Sequence, residues 1–220
     1  MTRSPANTDQ LPVRSTVVMF VTLVLLVFLA PLAGTIRSPI LNLLLTMVII
    51  AAINLAATNR RWLVLGLGLG APTLVFAWLG RVGTSKILLV VRYLLFDLLL
   101  MMVLVMMLRA VMKARRVTRE TVLLGLSCYL LLGLVWTAAY ATLDRLQPGA
   151  FGLPIDMTAG AVFGQMSYFS FVTLTSTGYG DILPQTPIAR GLANLEAVAG
   201  VLFVAVFISR LIAAYETERR

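Results

Sequence analysis

From Ser15 to Ile36 the chain carries no charged residue, and none appears again between Ser38 and Asn59. An α-helix rises ~1.5 Å per residue, so ~20 apolar residues cross the ~30 Å hydrocarbon core of a bilayer. Lipid offers no partner to an unpaired backbone amide, and a helix closes those bonds within itself. The chain is 60% hydrophobic and 12% charged, and a soluble domain of 220 residues needs far more polar surface than that. These runs therefore predict an all-α membrane protein.

Four further segments complete the pattern. Trp62–Gly80 is glycine-rich and carries Pro72, which is expected to kink it. Ile87–Leu108 contains Arg92 and Asp97, Thr121–Leu143 is charge-free, and Pro187–Tyr215 contains Glu196 and Arg210. Between the last two, Asp144–Thr158 reads as a loop with Pro148, Gly149, Gly152 and Pro154. Ala161–Thr175 is apolar and aromatic but too short to cross, so it is expected to enter and return on one side. The prediction is six transmembrane helices with a re-entrant helix between the fifth and sixth.

The formal net charge is +9. The cations lie at the ends of apolar runs and do not alternate with aromatics along a groove, so nucleic acid is not an expected partner. With the N-terminus inside, Arg3, Arg14, Arg60, Arg61, Arg109, Lys113, Arg115, Arg116, Arg119, Arg210, Arg219 and Arg220 face the cytoplasm. Arg37, Arg81, Lys86, Arg145 and Arg190 face outward. This bias predicts a multi-pass protein with both termini cytoplasmic. The first apolar run is too long for a signal peptide and lacks a small-residue cleavage site. Cys128 stands alone, which excludes an intrachain disulfide, and there is no histidine. Without histidine or a phosphate-cradling glycine loop, neither an enzyme nor a cofactor is expected.

Residues 175–181 read Thr-Ser-Thr-Gly-Tyr-Gly-Asp, directly after the short segment and before a long apolar helix. This stretch resembles the selectivity filter of the potassium channel family, in which backbone carbonyls replace the ion's water. The resemblance covers roughly Thr121–Tyr215 and is strongest over Ser176–Asp181. It implies that Ser176, Thr177, Gly178, Tyr179 and Gly180 hold potassium ions, with the Ser176 hydroxyl helping at the innermost site. One chain supplies one such loop, so the resemblance implies a homotetrameric pore. Ser176 stands where the family usually has threonine, and Thr177 where it has valine or isoleucine. Both keep the backbone carbonyl. The added Thr177 hydroxyl, facing away from the pore, would need a partner.

Tyr168 occupies the place of a family tryptophan that bonds the filter aspartate, which implies a Tyr168–Asp181 hydrogen bond. Glu196 is an acid inside an apolar helix, costly and therefore expected to have a role. It would accept from Thr177 or the pore helix, or pair with Asn194 and only fix packing. Gly200 lies where simple two-span relatives carry a hinge glycine, and close helix packing is its alternative role. Val204, Ile208 and Ile212 would form a hydrophobic gate, or else face lipid or pack.

Steps of three from Arg92 meet leucine, methionine and Lys86 rather than arginine, so weak or no voltage sensing is expected. Arg92 and Asp97 are five residues apart, so each is expected to pair with another helix instead. The domain reading is a cytoplasmic N-terminus (1–14), four peripheral helices (15–108), a cytoplasmic linker (109–120), a pore domain (121–215) and a short tail (216–220). The linker would form a surface helix suited to anionic lipid headgroups, or serve simply as a positive-inside anchor. The short tail predicts no cytoplasmic sensing domain, and such compactness fits a prokaryotic inner membrane. A less selective cation channel, a secondary transporter and a non-conducting membrane protein are the alternatives. The absence of a filter-like segment in the first half argues against a transporter repeat.

Overall fold

A computed structural model gives the fold, described here for residues 13–34, 39–56, 60–79, 86–114 and 118–218. It comprises α1 (Val13–Leu29), a 3-10 turn (Ala30–Gly34), α2 (Pro39–Ala56), α3 (Arg60–Leu79), α4 (Lys86–Lys113), α5 (Arg119–Leu146), α6 (Ala159–Leu174) and α7 (Pro187–Glu218). No strand occurs among the described residues.

Val90–Lys113, Arg119–Leu146 and Pro187–Ala213 are long and apolar enough to cross a membrane, and Thr16–Leu32 is a shorter apolar helix. At ~1.5 Å per residue, the 28 residues of α5 exceed the ~30 Å hydrocarbon core, whereas the 16 of α6 fall short of it. The chain packs in sequence order, α1 on α2, α2 on α3, α3 on α4 and α4 on α5, and α1 returns to lie on α5. Leu99, Leu100, Val103 and Met107 of α4 are buried, as are Cys128, Leu131 and Leu134 of α5. The α4–α5 seam is thus the densest part of the apolar core. By contrast, 11% of the spanning window of α7 is buried against 56% for α5, so α7 offers most of its apolar surface outward.

Several boundaries differ from the sequence reading. Arg109–Lys113 extend α4 and Arg119–Glu120 open α5, and residues 115–117 of the expected linker lie outside the described residues. The start of α5 is set by Thr118, whose hydroxyl accepts from the Thr121 amide while the Thr121 hydroxyl reaches back to the Thr118 amide. Arg109 lies over the Trp62 ring at 5.4 Å, tying the C-terminal end of α4 to the start of α3. Asp144, Arg145 and Leu146 are helical rather than loop, and α3 continues through Pro72.

The expected pairing of Arg92 and Asp97 with other helices is not found. Asp97 Oδ1 is buried with no hydrogen-bond partner, and no salt bridge to either residue occurs among the described residues. The helices packed on α4 explain this, because α2 has no charge and α3 and α5 carry theirs only at their ends. Arg3, Arg37, Arg81, Arg115, Arg116, Arg219 and Arg220 lie outside the described residues.

Candidate functional site

The site begins with how α6 starts and stops. Thr158 caps its first turn, its hydroxyl accepting from the Ala161 amide at 3.2 Å. Two tethers hold this end. The Tyr93 hydroxyl of α4 donates to the Ala159 carbonyl at 3.0 Å, and Arg145 donates to the Met157 carbonyl at 3.0 Å. On one flank the 3-10 turn lies against Gly164, where a Cβ would sit 2.7 Å from the Ala30 carbonyl oxygen. On another, Tyr140, Phe151 and Phe169 form a three-ring cluster with centroids 5.1–5.3 Å apart. This joins α5, the 147–158 loop and α6.

At its C-terminal end α6 turns directly into residues 175–181. The Ser176 amide donates to the Thr173 carbonyl at 2.9 Å, and the Thr177 and Gly178 amides donate to the Val172 carbonyl at 2.9 and 3.3 Å. A trans peptide holds its N–H and C=O on opposite sides. Because the amides of 176, 177 and 178 point into the end of α6, the carbonyls of Thr175, Ser176 and Thr177 point away from it. None of the carbonyls from Ser176 to Gly180 accepts a hydrogen bond among the described residues, and all five residues are exposed. The backbone alternates in hand along the same stretch, with φ of 57° at Ser176, 59° at Gly178 and 80° at Gly180. Glycine adopts these values without strain, whereas Ser176 does so at a cost.

The side chains brace this segment from behind. Tyr168 and Tyr179 stack with centroids 6.3 Å apart and planes 5° from parallel. The Tyr168 hydroxyl hydrogen-bonds the Asp181 carboxylate, and that bond is the main cause of a phenol pKa raised above its ordinary value. The Thr177 hydroxyl pairs with that of Thr175 at 2.9 Å. A cavity of ≈280 Å³ separates this segment from α1 and the 3-10 turn, lined by Val27, Pro31, Tyr168 and Thr177 among others. The segment after it is tied down as well, because the Gln185 amide donates to the Ala150 carbonyl at 2.8 Å.

Glu196 is fully buried. It contacts neither Thr177 nor Asn194 but the hydroxyls of Tyr140 on α5, at 2.5 Å, and Ser170 on α6, at 2.6 Å. Of the readings open from sequence, the bond to the short helix is present and the Asn194 pairing is absent. Gly200 sits inside an unbroken α7 against the end of α6, where a Cβ would lie 2.2 Å from the Leu174 carbonyl oxygen. This is the close-packing geometry, and the same carbonyl accepts from the Tyr129 hydroxyl at 3.2 Å. Val204, Ile208 and Ile212 continue along α7 at four-residue steps and are exposed, so no gate is assembled within one chain. Further along α7, the Arg210 guanidinium donates to the carbonyls of Met112 and Ala114 at 2.8 and 2.7 Å, capping the C-terminal end of α4.

Sequence reasoning missed Tyr140, Ser170, Tyr129 and the Arg210 contacts. The only trace of them is a hydroxyl or a cation on an otherwise apolar helix, which does not name a partner. No group of three or more metal-ligating side chains occurs among the described residues.

Residues 126–217 match a protein family described as an ion channel, and this matched segment holds most of α5, all of α6, the 175–181 turn and nearly all of α7. A protein named two pore potassium channel a, from Oryza sativa subsp. japonica, is 32% identical over 108 residues, covering 49% of this chain and 28% of that protein. Two pore potassium channel b from the same organism is 34% identical over 95 residues, covering 43% of this chain and 24% of that protein. The chain thus aligns with about a quarter of the length of each of these relatives. Residues 126–217 are thus similar to an ion channel family, in a chain with three described helices long and apolar enough to cross a membrane.

Proposed function

We propose that this chain is one subunit of a potassium-selective channel, assembling as a homotetramer and conducting K+ passively down its gradient. The observation that carries this reading is the direction of the backbone. Three successive amides are held by the end of α6, which turns the carbonyls of Thr175, Ser176 and Thr177 away from it in a row. Potassium must exchange its water for oxygens of this kind. One row is a quarter of a ring, and four copies about a common axis would complete it. The outward apolar surface of α7 supports the same assembly. Similarity to proteins named as potassium channels adds to it.

In this reading Ser176, Thr177, Gly178, Tyr179 and Gly180 hold the ions, and Tyr168 and Asp181 brace them. Gly200 packs the inner helix on the pore helix, and Val204, Ile208 and Ile212 meet their symmetry mates as a hydrophobic constriction. The basic inner ends of α3, α4 and α5 face the cytoplasm, where they suit anionic headgroups. With Arg92 the only cation between Lys86 and Arg109, opening depends weakly on voltage. The cell's inner membrane is the setting proposed.

The test is reconstitution of the purified protein in liposomes with K+ on one side and Na+ on the other. A reversal potential near that of potassium, with block by barium, is the expected result. A reversal near zero with sustained current would assign a less selective cation pore. Turnover at the rate of a transporter, without unitary channel currents, would reject conduction through a filter.

A further inference from the structure

Glu196 stands in a place where its protons can be counted. Its carboxyl, the Tyr140 hydroxyl, the Ser170 hydroxyl and the Gly133 carbonyl are joined by three short contacts. Tyr140 Oη lies 2.5 Å from Glu196 Oε2, Ser170 Oγ lies 2.6 Å from Glu196 Oε1, and Ser170 Oγ lies 2.7 Å from the Gly133 oxygen. Each contact needs one proton between its two oxygens. Tyrosine and serine bring one each, and a backbone carbonyl brings none. Two protons cannot serve three contacts. Were Glu196 ionised, Ser170 would have to point its proton at either Glu196 or Gly133, leaving two bare acceptors 2.6–2.7 Å apart on the other side.

The third proton has one source in the cluster, the carboxyl itself. With Oε1 protonated, Glu196 donates to Ser170, Ser170 donates to Gly133, and Tyr140 donates to Oε2. The surroundings favour this form. Glu196, Tyr140 and Ser170 are each fully buried, and among the described residues no Lys or Arg contacts the carboxyl. A buried carboxylate with no cation beside it is expensive, whereas a neutral acid with every polar atom paired is tolerated. The Gly133 carbonyl also takes the Thr137 hydroxyl at 2.8 Å, so the chain ends on the backbone of α5.

We propose that Glu196 acts as a neutral carboxylic acid, a hydrogen-bond donor that completes a three-link clamp from α7 through Ser170 of α6 to the backbone of α5. This clamp is a positioning device. Ser170 lies two residues before Val172, whose carbonyl receives the Thr177 and Gly178 amides. The clamp therefore sets the height and rotation of the helix end from which the carbonyl row hangs. That consequence rests on the reading of 175–181 as a filter, while the protonated state of Glu196 does not.

Infrared difference spectroscopy on the full chain in liposomes at neutral pH, wild type minus Glu196→Gln, tests the proton directly. The expected spectrum holds the carbonyl stretch of a protonated carboxylic acid. Carboxylate bands in its place would overturn the proposal. In a second comparison, Tyr140→Phe keeps the carboxyl and removes one donor, and it should shift that acid band; an unmoved band would equally count against the clamp.

Flux measurements then test positioning. Glu196→Ala should lower the K+ over Na+ permeability ratio about tenfold, the size expected when one partner of a buried hydrogen bond is lost. Glu196→Gln should restore it, because the amide oxygen accepts from Tyr140 and the amide N–H donates to Ser170. A Gln variant as impaired as the Ala variant would mean that a negative charge is required, against the proposal. If the wild type shows the acid band but no K+ flux, the filter reading fails and the neutral acid stands.

Discussion

At the scale of single residues, the filter-like turn separates two kinds of cost. A Cβ at Gly178 would meet nothing within 4 Å, so Gly178→Ala creates no clash. It would force alanine to φ +59°, a left-handed conformation costing an L-residue ~1–2 kcal/mol. We expect normal expression and assembly but a steep loss of K+ flux, measured in liposomes beside the melting temperature. Tyr168→Phe keeps the stack on Tyr179 and removes the hydroxyl that bonds Asp181. The expected outcome is lower open probability or faster inactivation in single-channel records, with unitary conductance unchanged. The Gly-Tyr-Gly-Asp run was legible in sequence because it concentrates unusual backbone freedom in a lipid-like chain. The Thr175–Thr177 hydroxyl pair and the left-handed Ser176 were not, since neither residue type announces the conformation it takes.

Among elements, the two closest approaches to α6 differ in what gives way. A Cβ at Gly133 would lie 2.5 Å from the Phe171 ring, a half-buried side chain whose tip can shift without moving backbone. At Gly200 it would lie 2.2 Å from the Leu174 carbonyl oxygen, which is backbone and moves only with the helix. Overpacking of this kind costs ~1–3 kcal/mol. Gly200→Ala should therefore lower the melting temperature more than Gly133→Ala, and only the former should disturb selectivity through the displaced end of α6. The C-terminal end of α7 is held by Arg210 on the last carbonyls of α4. Arg210→Gln should speed amide hydrogen exchange over 205–213, and unchanged protection would show that this latch is dispensable.

The long helices could be found from apolar length alone, to within a few residues. At the 109–120 junction the basic residues did not mark where α4 ends and α5 begins, because arginines suit helix ends as well as a linker. Glu196 was visible as an expensive residue, but its partners are 56 and 26 positions away. No local pattern ties a buried tyrosine or serine to an acid at that separation.

For the whole molecule, the proposed assembly has a mass signature. Native mass spectrometry should give four times the 23.9 kDa of one chain, and a monomer or dimer under conducting conditions would contradict the fourfold ring. Conductance–voltage curves should be shallow, as befits a peripheral bundle with Arg92 as its lone mid-helix cation.

The join between α4 and α5 has a further consequence. The four steps from Ala114 to Thr118 reach at most ~14 Å, and the two helices lie side by side along the densest seam of the fold. In the proposed tetramer each subunit would carry its own outer helices on its own pore half, like a wedge cut from a round, rather than lend them to a neighbour as strands are woven in a basket. An injury to the outer bundle of one copy should stay in that copy. In mixed assemblies of intact and damaged chains, function should decline in step with the dose of damaged wedges, without one bad subunit unravelling the other three.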